Sequence, residues 1–287
     1  MWFAVSFCSV SLGCFFVCLG ESVSYLALWC MVELLSVGLI PYFFLSLSPS
    51  SQRSLLQFVV ISGISSLFLV AGAFVGPYQS IFIGVGVMVK LGVFPFTSWV
   101  YEVIVNSNWV VIWVFSGLLK VPFLFILYML GPGSFPFNVF CAMCFLLLGI
   151  NLWKTSGGWR RCWGHMMISG SVSLVIISVT CSANLVYYVY WIYFVWSSLS
   201  VVFFIFVSSK GCVLSDFYIF LFVVLFVSFP CSLAVFYKYA IGISLLSSSL
   251  GVFVSWCFYT VSEQVFVLYY LISRSGSRGF VDLFSSI

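Results

Sequence analysis

QSIFIGVGVMVKLGVFPFTSWVYEVIV, residues 79–105, is apolar over nearly its whole length, yet it carries Lys90 near its middle and Pro95 shortly after. A membrane-spanning helix takes about 20 apolar residues, so the stretch is long enough to cross a bilayer. A charge near mid-span costs roughly 3 kcal/mol, and a membrane protein keeps one only for a reason. Proline lacks the backbone N–H and clashes with the preceding turn. The stretch therefore predicts a helix broken at Pro95, which is tolerated where the freed backbone is buried in protein or lines a wet cavity.

The rest of the chain has the same character. Hydrophobic residues make up 64% of its 287 positions, only 6% are charged, and the mean hydropathy is +1.26. Ordinary globular domains are about half apolar and a quarter charged. We expect an all-α polytopic membrane protein, a single transmembrane domain over 1–287 with about ten helices and no soluble domain. The segments are 1–19, 22–46, 54–75, 79–105, 109–130, 136–152, 163–182, 184–207, 213–248 and 250–273. They are too long and too uniformly apolar for barrel strands. The segment 213–248 is the longest and predicts a second broken helix, at Pro230.

Loop charges supply an orientation. Alternate loops on the side of Met1 hold Arg53, Lys154, Arg160, Arg161, Lys210, Arg274 and Arg278, and the loops on the other side hold no lysine or arginine. The positive-inside rule places the N-terminus in the cytoplasm or the mitochondrial matrix. Trp99, Tyr101, Trp109, Trp153, Trp159, Trp163 and Trp191 lie near segment ends, as interfacial aromatic belts require. Gly72 and Gly76 form a GxxxG that lets helices approach.

The N-terminal stretch has no positive region before Arg53, so neither a secretory signal nor an Arg-rich transit peptide is read there. Phe, Val, Leu, Ser, Cys, Trp, Tyr and Gly dominate the composition. Their T- and G-rich codons point to a gene in a skewed small genome such as an organelle's, which reading the gene would test. Basic residues are scattered, which argues against nucleic-acid binding. The eleven cysteines fall mostly inside apolar runs, and Cys141 with Cys144 forms a CxxC that nothing nearby completes into a tetrahedral metal site. They read as small buried hydrophobes. No phosphate-binding glycine loop or iron–sulfur cysteine pattern is found, so no cofactor is assigned.

The chemistry-bearing candidates are the ionisable groups inside the oil: Glu33, Lys90, Lys120 and Lys238. Snorkelling accounts for lysines near helix ends, but Lys90 and Lys120 lie too deep for it. A lysine whose protonation depends on a neighbouring carboxylate is what a proton relay requires. Glu33 also admits a plainer role, a protonated acid hydrogen-bonding between helices. Lys238, beyond the break at Pro230, is either cavity-facing or in a loop. The loop would fall on the side with no other basic residue, which favours burial. His165, at the start of its segment, titrates near neutrality and is either a group that admits protons or an ordinary interfacial histidine. Glu102 reads as a surface acid, and Lys154, Arg160 and Arg161 as topology and lipid-headgroup residues.

Four stretches together resemble NADH-ubiquinone oxidoreductase chain 2, an antiporter-like membrane subunit of respiratory complex I. VMVKLGVFPFTSWVYEV (87–103) resembles that family's K-L-G-x-x-P-F-x-x-W-x-x-E signature, and GLLKVPF (117–123) falls at the spacing of its next intramembrane lysine. MVELLSVGLIP (31–41) looks like its glutamate helix, and FPCSLAVFYK (229–238) like its P-P-x-x-G-F-x-x-K segment. The resemblance implies proton translocation through Glu33, Lys90, Lys120 and Lys238, coupled to NADH-to-ubiquinone electron transfer that takes place in other subunits. It implies a multi-pass protein of the mitochondrial inner membrane with its N-terminus in the matrix. Its partners would be other membrane-arm subunits, including neighbouring antiporter-like ones, with accessory subunits and lipids. The chain departs from the family in several ways. It is short, and the family's last helix is missing or vestigial. The family's histidine position falls near Gly170 rather than His165, and Tyr101, Cys231 and Ala234 replace a proline, a proline and a glycine. Two other readings stay open beside this one: a stand-alone cation/proton antiporter, and a structural membrane subunit with no proton path of its own.

Overall fold

The computed structural model describes residues 24–45, 48–75, 78–131, 137–154, 158–210, 216–230 and 232–275, and among them helices are the regular elements, with no strand. The segment 1–19, Gly76, Arg278 and Cys231 lie outside the described residues. The helices are α1 (Tyr25–Phe43), α2 (Pro49–Phe74), α3 (Gln79–Leu91), α4 (Ser98–Asn106), α5 (Trp109–Ser116), α6 (Val121–Leu130), α7 (Phe137–Lys154), α8 (Trp159–Thr180), α9 (Ala183–Lys210), α10 (Asp216–Phe226), α11 (Leu233–Leu245) and α12 (Leu250–Ser275). Among the described residues seven helices are long and apolar enough to cross a membrane, counting Trp109–Leu130 as one, and the protein is membrane-embedded. Two shorter apolar helices, α3 and α11, accompany them. Segments this apolar form helices because a helix satisfies every backbone N–H and C=O within itself.

Local signals set the helix ends. Ser24, Ser48 and Ser232 cap α1, α2 and α11, each hydroxyl accepting a backbone N–H three residues on, at 3.2–3.3 Å. Pro49 opens α2, where a missing N–H costs nothing. α2 therefore begins earlier than the apolar run at 54 suggests, because capping and not hydropathy starts it.

α3 stops at Gly92, which is left-handed at φ 67°. Gly92 N–H donates to the Val89 carbonyl and Val93 N–H to Met88, the paired bonds of a Schellman closure. Neighbours take up the backbone beyond it. Phe94 N–H donates to Cys144 Sγ at 3.5 Å, and Trp99 Nε1 donates back across the gap to the Val89 carbonyl at 3.1 Å. A methyl at Gly92 would overlap the Val100 side chain. Gly92→Ala is therefore expected to cost about 2 kcal/mol, from left-handed strain and crowding together. Thermal unfolding of the purified protein checks this, and an unshifted midpoint would contradict it.

The second interruption lies between α10 and α11. There Gln264, on α12, works from both sides: its Oε1 accepts Ser228 N–H at 2.8 Å, and its Nε2 donates to the Phe226 carbonyl at 3.2 Å. A third irregularity is a 3-10 turn, Leu118–Lys120, between α5 and α6. Gly117 lets Phe194 pack close, and Pro122 withholds an N–H from the first turn of α6.

α8 is the hub, buried along almost its whole length and packed against α4, α6, α7, α9 and α11. Its glycines and serines permit this close approach. Ser169, Ser171 and Ser173 each donate back to a carbonyl of their own helix at 2.9–3.0 Å, so they enter the apolar centre already satisfied. α2 and α3 pack tightly at Gly86, whose carbonyl accepts Ser65 Oγ at 2.8 Å.

The aromatic belts expected at segment ends are corrected in part. Trp153 and Trp191 are exposed, but Trp99, Trp109, Trp159 and Trp163 are buried. Trp109 stacks on Phe204 at 5.2 Å, and Trp159 meets Phe222 edge-on at 4.9 Å. Such ring pairs contribute about 0.5–1.5 kcal/mol beyond the area they bury. Arg160 is corrected too, since α8 begins at Trp159 and takes it out of the loop. Its guanidinium donates to the carbonyls of Val105 and Ser107, both at 2.9 Å, and lies over Trp109 at 5.0 Å. The end of α4 offers carbonyls that need donors, and an arginine fork fits them.

Candidate functional site

Lys90 is the second-last residue of α3, and its stem points inward between α1 and α2. It is 1% exposed. Its ammonium donates to Ser36 Oγ at 2.8 Å and to Ser62 Oγ, and lies 5.3 Å from the Phe58 ring centroid. Glu33 is on α1, one turn before Ser36, and is half-buried. One of its carboxylate oxygens is enclosed without a hydrogen-bond partner. Glu33 and Lys90 lie within electrostatic range of each other, and Ser36, which accepts from the Lys90 ammonium, donates its own proton to the Val32 carbonyl at 2.7 Å. The arrangement is an acid and an amine near each other, the amine held by two serine hydroxyls.

Lys120 closes the 3-10 turn and is 2% exposed. The tight turn brings its side chain onto α8 and α9. Its ammonium donates to the Met167 carbonyl at 3.3 Å and the Tyr193 hydroxyl at 2.5 Å, and stands 4.2 Å from the Tyr193 ring centroid. Among the described residues no carboxylate forms an ion pair with this amine. A carbonyl, a hydroxyl and a π face hold the charge. Neither Lys90 nor Lys120 reaches the outer surface of the bundle, so snorkelling explains neither.

Lys238, on α11, forms an ion pair with Glu263 of α12 at 2.8 Å. Lys238 is thus helical and largely enclosed, not in a loop. Glu263 is the acid that the sequence reading passed over. Its signal was available, since TVSEQVFVLYY carries a carboxylate inside an apolar run just as α1 does. Tyr259, one turn before it on the same helix, lies beside both Ser169 and Glu263.

His165 sits in the second turn of α8 and is buried, its Nδ1 2.8 Å from the Tyr101 hydroxyl. The two rings are 4.8 Å apart. Glu102, next to Tyr101, is exposed. Pro95 lies in the connector between α3 and α4, and Pro230 in the one between α10 and α11, where it is exposed. Among the described residues no group of three His, Cys, Asp or Glu side chains is placed to hold a metal ion.

The structure therefore brings the predicted residues into two groups and a centre. Glu33 and Lys90 form one group by electrostatic proximity, Lys238 and Glu263 form the other directly, and Lys120 stands on its own partners. The three lysines do not touch one another. No protein-family model matches the chain, and no curated protein sequence matches it either.

Proposed function

We propose that the chain conducts protons across a membrane as an antiporter-like membrane-arm subunit of a respiratory NADH–ubiquinone oxidoreductase. In this reading it has about ten spans. α3 with α4, and α10 with α11, are discontinuous ones, and the N-terminus faces the mitochondrial matrix. The reading assigns it a share in proton pumping coupled to NADH oxidation and no redox centre of its own. Its neighbours are other membrane-arm subunits, accessory subunits and lipid.

One observation carries the proposal: Lys90 and Lys120 are fully enclosed amines held by hydroxyl and carbonyl groups inside the helix bundle, away from its surface. Packing alone gives no reason to keep them, because an apolar residue of similar volume is usually as stable or more so. A proton carrier gives one, since each amine can gain or lose a proton beside groups that accept either state. Movement of Glu33 by a neighbouring subunit would change the charge that Lys90 faces and so couple the two sites. The proton then passes toward Lys120 and on to Lys238.

Purification in a mild detergent tests the assignment against a stand-alone antiporter, for which the same amines would serve. The expected result is a large assembly that oxidises NADH. A lone protein, free of partners and of NADH oxidation, would overturn it.

A further inference from the structure

The route from Lys120 to the Lys238–Glu263 pair has to cross the space between α8, α9 and α11, and what fills that space is a pair of tyrosines. Tyr193 receives the Lys120 ammonium on its hydroxyl. Its ring centroid lies 5.6 Å from that of Tyr237. Tyr237 immediately precedes Lys238 on α11, and its ring stacks on Trp196 at 4.6 Å with the planes 9° apart. Both phenolic ends converge on Gly170 of α8. A methyl there would meet Tyr193 Cε2 at 2.6 Å, Tyr193 Cζ at 3.3 Å and the Tyr237 oxygen at 3.0 Å. Any side chain at position 170 would push the two rings apart, so glycine is what allows them to meet. Tyr237 also lies within electrostatic range of both Tyr193 and Glu263.

From this convergence we infer that the hydroxyls of Tyr193 and Tyr237 form the proton path between Lys120 and Glu263, with Gly170 as the gap that admits them. The inference rests on the proton-conducting reading above and names residues that reading does not. The step balances. Lys120 gives a proton to the Tyr193 oxygen as Tyr193 gives its own to the Tyr237 oxygen and Tyr237 gives its own to the Glu263 carboxylate. Each tyrosine ends as it began, a neutral phenol. Lys120 becomes a neutral amine and Glu263 a neutral acid. Lys238 then holds a positive charge with no counter-ion, which favours release of the next proton. Carboxylate and amine at one end and an isolated amine at the other make this a transfer between unlike sites; it resets when Lys238 has released its proton, Glu263 has passed its own to Lys238, and Lys120 is reprotonated.

Tyr237→Phe isolates the claim, because phenylalanine keeps the stack on Trp196 and the contact with Tyr193 and removes only the oxygen. The assembled complex carrying Tyr237→Phe or Lys120→Ala is sealed into vesicles, and proton movement is followed with a pH dye during NADH oxidation. A positioned proton-transfer group contributes about a hundredfold or more, so the share of proton movement carried by this chain is expected to fall by about that factor in Tyr237→Phe, in normally assembled complex, while the share of neighbouring antiporter-like subunits remains. Tyr193→Phe is read in the same way and decides the matter if the first variant does not assemble. Loss in Lys120→Ala with normal proton movement in the tyrosine variant would overturn the tyrosine path and leave the broader reading standing. Normal movement in Lys120→Ala would overturn both.

Discussion

Lys120→Met is expected to stop proton movement through this chain while leaving the bundle assembled. Methionine matches the lysine stem in length and is at home in an apolar core. The substitution removes an ammonium held by the Met167 carbonyl and the Tyr193 hydroxyl, at 3.3 and 2.5 Å. The carbonyl still receives Ser171 Oγ at 3.0 Å, so only the Tyr193 hydroxyl loses its partner, a cost of about 1–3 kcal/mol. Against that, the cost of burying a charge disappears, and exchanging buried ionic groups for apolar ones is often neutral or favourable. Stability should therefore change little. Function should change greatly, because the central titratable group is gone. The readout is vesicle acidification driven by NADH in the assembled complex, with complex content measured on a native gel. Normal proton movement in fully assembled protein would sink the relay, and failure to assemble would make Lys120 a packing residue instead.

Glu263→Gln should have the largest effect on stability. It leaves the Lys238 ammonium facing a neutral amide where it now has a carboxylate at 2.8 Å, in a site where the two side chains are 14% and 7% exposed. Breaking a buried pair from one side costs about 3–5 kcal/mol, because the remaining charge is uncompensated. The partial exposure of Lys238 lets water recover some of this, so the lower end, about 3 kcal/mol, is expected. Removing both charges in Glu263→Gln with Lys238→Met should restore most of the loss. Thermal unfolding of the four proteins of this cycle measures the coupling. A loss below about 1 kcal/mol, or no recovery in the double variant, would show that the pair contributes little to holding α11 on α12.

The two substitutions probe residues that differ in how they could be recognised. Lys90 and Lys120 stood out in the sequence because a charge inside a long apolar run needs no neighbour to be noticed. Glu263 also lies in a mostly apolar run, but between two other polar residues, Ser262 and Gln264. In the structure those flanking residues point elsewhere: Gln264 braces the α10–α11 connector, while Ser262 donates to the Gly149 carbonyl at 2.9 Å. Helix periodicity sends three consecutive polar residues in three directions, so a polar triplet says little about which member faces the centre. His165 and the tryptophans show the converse. Their places near segment ends suggested an interface, yet Trp163 and His165 are enclosed by neighbours that local sequence cannot specify.

Composition and run length by themselves determined that this protein is a helical membrane bundle, because a backbone in oil must satisfy its own hydrogen bonds and only sustained apolar runs can sit there. They also marked Pro95, Pro230 and the buried amines, since proline and charge disrupt such runs whatever surrounds them. Pairing was decided by tertiary structure alone. Ser36 and Ser62 on Lys90, Tyr193 on Lys120, Glu263 on Lys238 and Gln264 at the second connector all come from other helices. A side chain in oil must find a polar partner, but which helix brings that partner depends on how small residues such as Gly86 and Gly170 let the helices close on one another.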